Sequence, residues 1–94
     1  MRALVVGASR GIGAAVAVRL AQDGLSRSGA AEIAITARAP SEALDEVAAQ
    51  IAALGGRAHI ITGDMGDLTT PRRIGAEAAK ACGGLDLVVA NAGI

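Results

Sequence analysis

The sequence predicts an α/β fold in which a doubly wound parallel sheet is covered by the helices that join its strands. Three observations predict it. Short apolar runs, the pattern of strands buried on both faces, open the chain and recur near residues 32, 57 and 85. Between these runs lie segments with apolar residues at helical spacing, each followed by glycine. The run Leu4-Val5-Val6 breaks at Gly7, and two more glycines, Gly11 and Gly13, stand where the first helical segment starts. Strands separated by helices of such length pair in parallel, and right-handed crossovers restrict how they can be ordered.

Met1 to Val6 reads as the first strand. From Ile12 to about Asp23, Val16, Leu20 and the alanines recur at helical spacing, with Gly24 as the expected stop and Leu25 to Ala31 as a surface loop. Glu32 to Ala37 is the second strand, carried by Ile33 and Ile35. Ser41 is a good N-cap for a helix with Leu44, Val47, Ala48, Ile51 and Leu54 on one stripe, ended by Gly55-Gly56. Arg57 to Thr62 is the third strand, in which His59 is read as a hydrogen-bonded strand residue, since no metal-ligating partners accompany it. Thr70-Pro71 reads as a cap followed by proline at the first helical position, and Gly83-Gly84 closes that helix near Cys82. Leu85 to Ala90 is the fourth strand. The alternation predicts a Rossmann-like sheet in the order 3-2-1-4, with the glycine loop at the crevice where the strand order reverses.

Composition narrows the function. The 94 residues suffice for one small domain. Nine basic and nine acidic residues cancel, so no charge imbalance points to nucleic acid or an anionic membrane. The longest stretch without a charge, Val47 to Gly56, falls far short of the ~20 residues that span a bilayer. Arg10 interrupts the N-terminal apolar run too early for a secretory signal, and one cysteine, Cys82, has no internal disulfide partner, so a cytoplasmic protein is expected. Phe, Tyr and Trp are all absent. The core must therefore be built from Ala, Val, Ile and Leu.

The glycine loop is the candidate site. A helix N-terminus presents unpaired N–H groups and about half a positive elementary charge, and a loop without Cβ atoms lets a phosphate approach them. Gly7 would make the turn, Gly11 permit close approach, and Gly13 let the helix pack on the strand. No Lys-Ser/Thr pair follows, as a P-loop needs, and no acidic residue precedes Gly7. Taken alone, the loop fits either a phosphate seat or a tight strand-to-helix turn that binds nothing. The end of the second strand bears on the choice. A carboxylate there commonly binds the ribose 2′-OH of NAD, whereas arginine favours the 2′-phosphate of NADP. Here the strand ends Thr36-Ala37-Arg38, with Glu32 at its opposite end, so NADP(H) is expected. Arg10 is a candidate second cation for the same phosphate.

With these residues placed, the chain resembles the short-chain dehydrogenase/reductase family. The family's Thr-Gly-x-x-x-Gly-x-Gly corresponds to Val6-Gly7-Ala8-Ser9-Arg10-Gly11-Ile12-Gly13. Asp64 matches an aspartate that contacts the adenine, Met65 the residue whose backbone lies near the ring, and Ala90-Asn91-Ala92-Gly93 the family's Asn-Asn-Ala-Gly. The resemblance thus implies a cofactor seat of Gly7, Ser9, Arg10, Gly11, Ile12, Gly13, Ala37, Arg38, Asp64, Met65, Asn91, Ala92 and Gly93. Val6 and Ala90 depart from the pattern, and for Asn91 stabilising the central strand is an alternative to touching the cofactor.

The family's hydride transfer between nicotinamide and a carbonyl or alcohol uses a Tyr-x-x-x-Lys pair and a serine. These residues contain no tyrosine and one lysine, Lys80, on a surface helix, so no catalytic residue is assigned. The expectation is a partial NADP(H)-binding domain over residues 1–94, the N-terminal portion of a short-chain oxidoreductase. A non-catalytic nucleotide-binding module and a non-functional remnant are the alternatives. The predicted sheet leaves its fourth strand as an apolar edge, so the isolated chain is expected to self-associate or to need a partner.

Overall fold

The computed structural model describes residues 1–9, 11–64 and 66–90. Its elements alternate as β1 (Arg2–Val6), α1 (Gly11–Ser28), β2 (Glu32–Ala37), α2 (Glu42–Leu54), β3 (Arg57–Thr62), α3 (Thr70–Cys82) and β4 (Leu87–Ala90). All strands are parallel, in the order β3-β2-β1-β4 that the sequence predicts. The central strand β1 aligns Val6 with Thr36 on one side and with Ala90 on the other.

The sheet divides the core into two layers. On one face Ala3, Val5, Ile33 and Ile35 meet Ala17 and Ala21 of α1 and Leu44, Val47 and Ile51 of α2. On the other, Leu4, Val6, Ala34 and Ile61 meet Ile74, Ala78 and Cys82 of α3. Fully burying a side chain such as Ile33, Ile35, Leu44 or Ile51 contributes roughly 1.5–3 kcal/mol. Two helices on one face against one on the other leave the second layer thinner. Toward β4 it is bare, and Val88, aligned with Leu4, is 56% exposed.

Three boundaries differ from the expected ones. Helix α1 runs through Gly24 to Ser28, so residues 25–28 are helical rather than loop. Gly24 is buried against the start of the sheet, where an added Cβ would lie 2.6 Å from Met1 Cβ and 3.2 Å from Ala31 Cβ. The small side of α1, Gly13, Ala17, Ala21 and Gly24, is what lets the helix sit close to the strands. The chain leaves the helix through Gly29, whose N–H donates to the Leu25 carbonyl. At α3 the cap is Thr69, and Thr70 is already helical and buried. The Thr69 side chain makes no capping bond to the helix; its hydroxyl and N–H both donate back to the Asp67 carboxylate at 2.9 Å, in the turn that precedes α3. Strand β4 begins at Leu87, after Asp86 has donated its N–H to the Arg2 carbonyl. Helix α2 is capped as expected, with the Ser41 hydroxyl accepting from the Leu44 N–H at 3.1 Å.

Candidate functional site

Parallel strands put every strand-to-helix loop that follows their carboxyl ends on one edge of the sheet, and the described candidates Gly7, Ser9, Gly11, Ala37, Arg38 and Asp64 lie at or after those ends. Gly7 leaves β1 with φ of 82°, a left-handed conformation that glycine adopts without steric cost. Its N–H and that of Ala8 both donate to the carbonyl of Thr36, at 3.0 and 2.9 Å. The next carbonyl, that of Ala37, accepts from Gly63 N–H at 3.1 Å. Two consecutive carbonyls at the end of β2 therefore hold the loops on either side, and Arg38 emerges between them.

The Gly7 and Ala8 N–H groups are thus spent on making the turn. The donors left for an anion are those of the first turn of α1, which have no acceptor within the helix. That turn suits an anion: it contains no acidic residue, and Gly11 enters it with φ of 65° and nothing within 4 Å of the position a Cβ would take. Gly13 is buried, whereas Ile12 is 74% exposed. Ser9 lines an open groove of about 590 Å³ between α1 and α2, shared with Ala14, Val18, Ala43 and Val47.

Arg38 is exposed and makes no ion pair among the described residues. Asp64 is exposed too, one residue past Gly63, and folds back so that its carboxylate accepts from Gly66 N–H at 2.9 Å. Asp67 extends the same loop, and the Thr69 N–H and hydroxyl hold its carboxyl below the usual carboxylate range. Arg10, Met65, Asn91, Ala92 and Gly93 lie outside the described residues. Strand β4 ends at Ala90, which aligns with Val6 in the sheet.

The opposite edge is ionic and distinct from the site. Arg57, Glu32, Arg2 and Asp86 stand in a row across the amino ends of the strands, joined by Glu32 to Arg57 at 3.7 Å and Arg2 to Asp86 at 2.9 Å. His59 is bonded to Glu32 at 2.8 Å, as a strand histidine is expected to be. Cys82 is buried, which pushes its thiol up and keeps it protonated. Among the described residues, no group of three or more His, Cys, Asp or Glu could hold a metal ion.

Two contributors to this edge carried no motif. The carbonyls of Thr36 and Ala37 have no side-chain signature. Gly63 is marked only by its place between a strand and Asp64. Its lack of a side chain is used, because a Cβ there would meet Arg73, Thr70 and Ile74 of α3.

A family model described as short chain dehydrogenase matches residues 1–94. The chain belongs to the short-chain dehydrogenase family. Family members of known structure share its fold closely. A short chain dehydrogenase from Burkholderia cenocepacia, solved in complex with NADP, is 49% identical with a TM-score of 0.87, the match covering 99% of this chain and 36% of that one. An uncharacterized oxidoreductase of Mycobacterium tuberculosis is 41% identical over 91 residues, 97% of this chain and 32% of its own length. A glucose 1-dehydrogenase of Gluconobacter oxydans is 40% identical over 93 residues, 98% of this chain and 32% of its own length. The chain therefore spans about a third of the length of these relatives.

Proposed function

We propose that residues 1–94 form the NADP(H)-binding part of a short-chain oxidoreductase. The observation that carries this reading is the end of β2: its Thr36 and Ala37 carbonyls tie the glycine loop and the Asp64 loop to either side of Arg38, which is exposed and makes no ion pair among the described residues, with no carboxylate at that strand end. The pyrophosphate rests on the first turn of α1, approached over Gly11, with Gly7, Ser9, Ile12 and Gly13 shaping the seat. Arg38 and Arg10 take the 2′-phosphate, Ala37 leaves room for it, and Asp64 with Met65 borders the adenine. Asn91, Ala92 and Gly93 complete the set of cofactor-binding residues in this reading. The related Burkholderia protein bound to NADP supports the choice of cofactor.

The chemistry that such a cofactor supplies is hydride transfer between its nicotinamide and a carbonyl or alcohol. The present residues bind and orient it. With no tyrosine among them, they do not supply the proton donor that the family resemblance calls for. A cytoplasmic setting fits the buried, unpaired Cys82, and none of the described helices is long and apolar enough to cross a membrane.

The test is titration of the purified chain with NADPH and NADH, followed by nicotinamide fluorescence. NADPH is expected to bind more tightly than NADH. Equal affinities would remove the assignment of Arg38, and no binding of either would remove the site.

A further inference from the structure

The peptide joining Thr62 to Gly63 is held from both sides. Its N–H points into the sheet and donates to the Ala37 carbonyl at 3.1 Å. Its carbonyl points the other way, off the open edge of β3, where it has no neighbouring strand. There Arg73 Nη2, one turn into α3, donates to it at 3.0 Å, while Nη1 of the same guanidinium donates to Glu77 at 2.9 Å. The fit requires Gly63, since a Cβ at that position would collide with the Arg73 guanidinium and lie 2.8 Å from Thr70 Cγ2. This peptide follows the last residue of β3, aligned with Ala37, and immediately precedes Asp64.

We infer that Arg73 is a positioning residue for the adenine end of the site, an inference that rests on the NADP(H) reading above. Its hydrogen bond fixes the plane of the Thr62-Gly63 peptide, and that plane sets both where Asp64 departs and how firmly the loop is tied to Ala37, next to Arg38. A carbonyl at a sheet edge is otherwise bonded to water, which holds it in no particular orientation. The guanidinium, anchored on α3 by Glu77, supplies a fixed donor, and a planar fork with two donors used in two directions is something lysine copies only in part.

The role predicts a specific pattern. Removing a positioning group on the adenine side weakens NADPH, NADH and adenosine 2′,5′-bisphosphate by the same factor, because all three carry adenine. Removing a group that touched the 2′-phosphate would weaken NADPH and the bisphosphate and spare NADH. Arg73→Ala is expected to cost roughly three- to tenfold in affinity for each of the three, the scale of one net hydrogen bond. Arg73→Lys, which keeps a donor near the Thr62 carbonyl, is expected to recover part of the loss.

The experiment pairs those titrations with amide hydrogen exchange. Protection of the Gly63 N–H is expected to fall in Arg73→Ala, while that of Ala8, bonded to Thr36, is unchanged; this reads the peptide directly even if the variant binds nothing. Unchanged Gly63 exchange, or a loss confined to the 2′-phosphorylated ligands, overturns the inference and leaves the NADP(H) site standing. A parent chain that binds none of the three ligands overturns the reading of the site and this inference together.

Discussion

Arg2 and Asp86 lock the central strand to its last neighbour through every polar group they share. The guanidinium meets both carboxylate oxygens, Nη2 to Oδ1 at 2.9 Å and Nε to Oδ2 at 3.2 Å, and its Nη1 donates to the Gly83 carbonyl at 2.8 Å. The backbones join in as well: Arg2 N–H donates to Asp86 Oδ2 at 3.1 Å, and Asp86 N–H to the Arg2 carbonyl at 2.7 Å. Gly84 makes room, since a Cβ there would lie 2.7 Å from Arg2 Nη1.

The clamp gives a pH dependence with a definite sign. Hydrogen bonds from the Arg2 side chain and backbone hold the Asp86 carboxyl below its ordinary value. A carboxylate depressed in the folded state contributes stability that is present above its unfolded pKa, near 3.9, and is lost as pH falls through the lower folded value. The melting temperature of the parent is expected to exceed that of Asp86→Asn at neutral pH, with the gap shrinking as the solution is acidified below about 4. Thermal melts of the two proteins from pH 7 to pH 3 check this. A gap that stays constant would show that the ionised carboxylate contributes nothing.

The cofactor reading is tested by exchanging the end of β2. Ala37→Asp with Arg38→Ala places a carboxylate where a ribose 2′-OH would lie and removes the cation facing a 2′-phosphate. NADPH is expected to weaken by roughly tenfold or more, the scale of a charge-assisted hydrogen bond, with NADH equal or improved. Fluorescence titration measures both. Unchanged relative affinities would show that Arg38 does not read the phosphate.

Gly24 separates two explanations of a glycine near a helix end. As a simple helix-interior residue, it would be replaced by alanine with a gain of about 0.5–1 kcal/mol. Packed against Met1 and Ala31 as it is, Gly24→Ala is expected to destabilise by about 1–3 kcal/mol through overpacking. Urea unfolding gives the sign.

The β4 edge governs association. Leu87 and Val88 are 39% and 56% exposed, and no charged residue lies within Leu87–Ala90 to deter pairing with another strand. The isolated chain is expected to self-associate at micromolar concentration. Val88→Lys is expected to shift it toward monomer with little change in fold. Sedimentation velocity distinguishes the two, and a monomeric parent with a sharp cooperative melt would defeat the prediction.

Much of this architecture was legible in the residues, for reasons that vary by element. Strands β2 and β3 and helix α2 have the expected bounds because their signals are local: β-branched runs, the Ser41 cap and the Gly55 stop all act within a few residues. Helix α1 ran past its expected end because Gly24 serves a contact with Met1 and Ala31 at the sheet's first residues, and no local pattern announces it. The α3 cap lies one residue before the expected Thr70, because Thr70 is already helical and buried while Thr69 turns back to Asp67. At the site, Gly7, Arg38 and Asp64 stand out because backbone freedom and charge belong to residue type. The Thr36 and Ala37 carbonyls that arrange them belong to no residue type, and Arg73 looks like any surface arginine until the fold brings it to Thr62.

The central place of β1 also sets an order of assembly on the ribosome. Its bonds to β2 close over 30 residues of chain, but those to Asp86 span 84. Translation therefore releases the glycine loop and its Thr36 anchor early, while the other side of β1 waits unpaired until β4 emerges. The turn at Gly7 takes shape before β1 gains its second neighbour, and the nascent chain passes through a stage in which its central strand has one edge open.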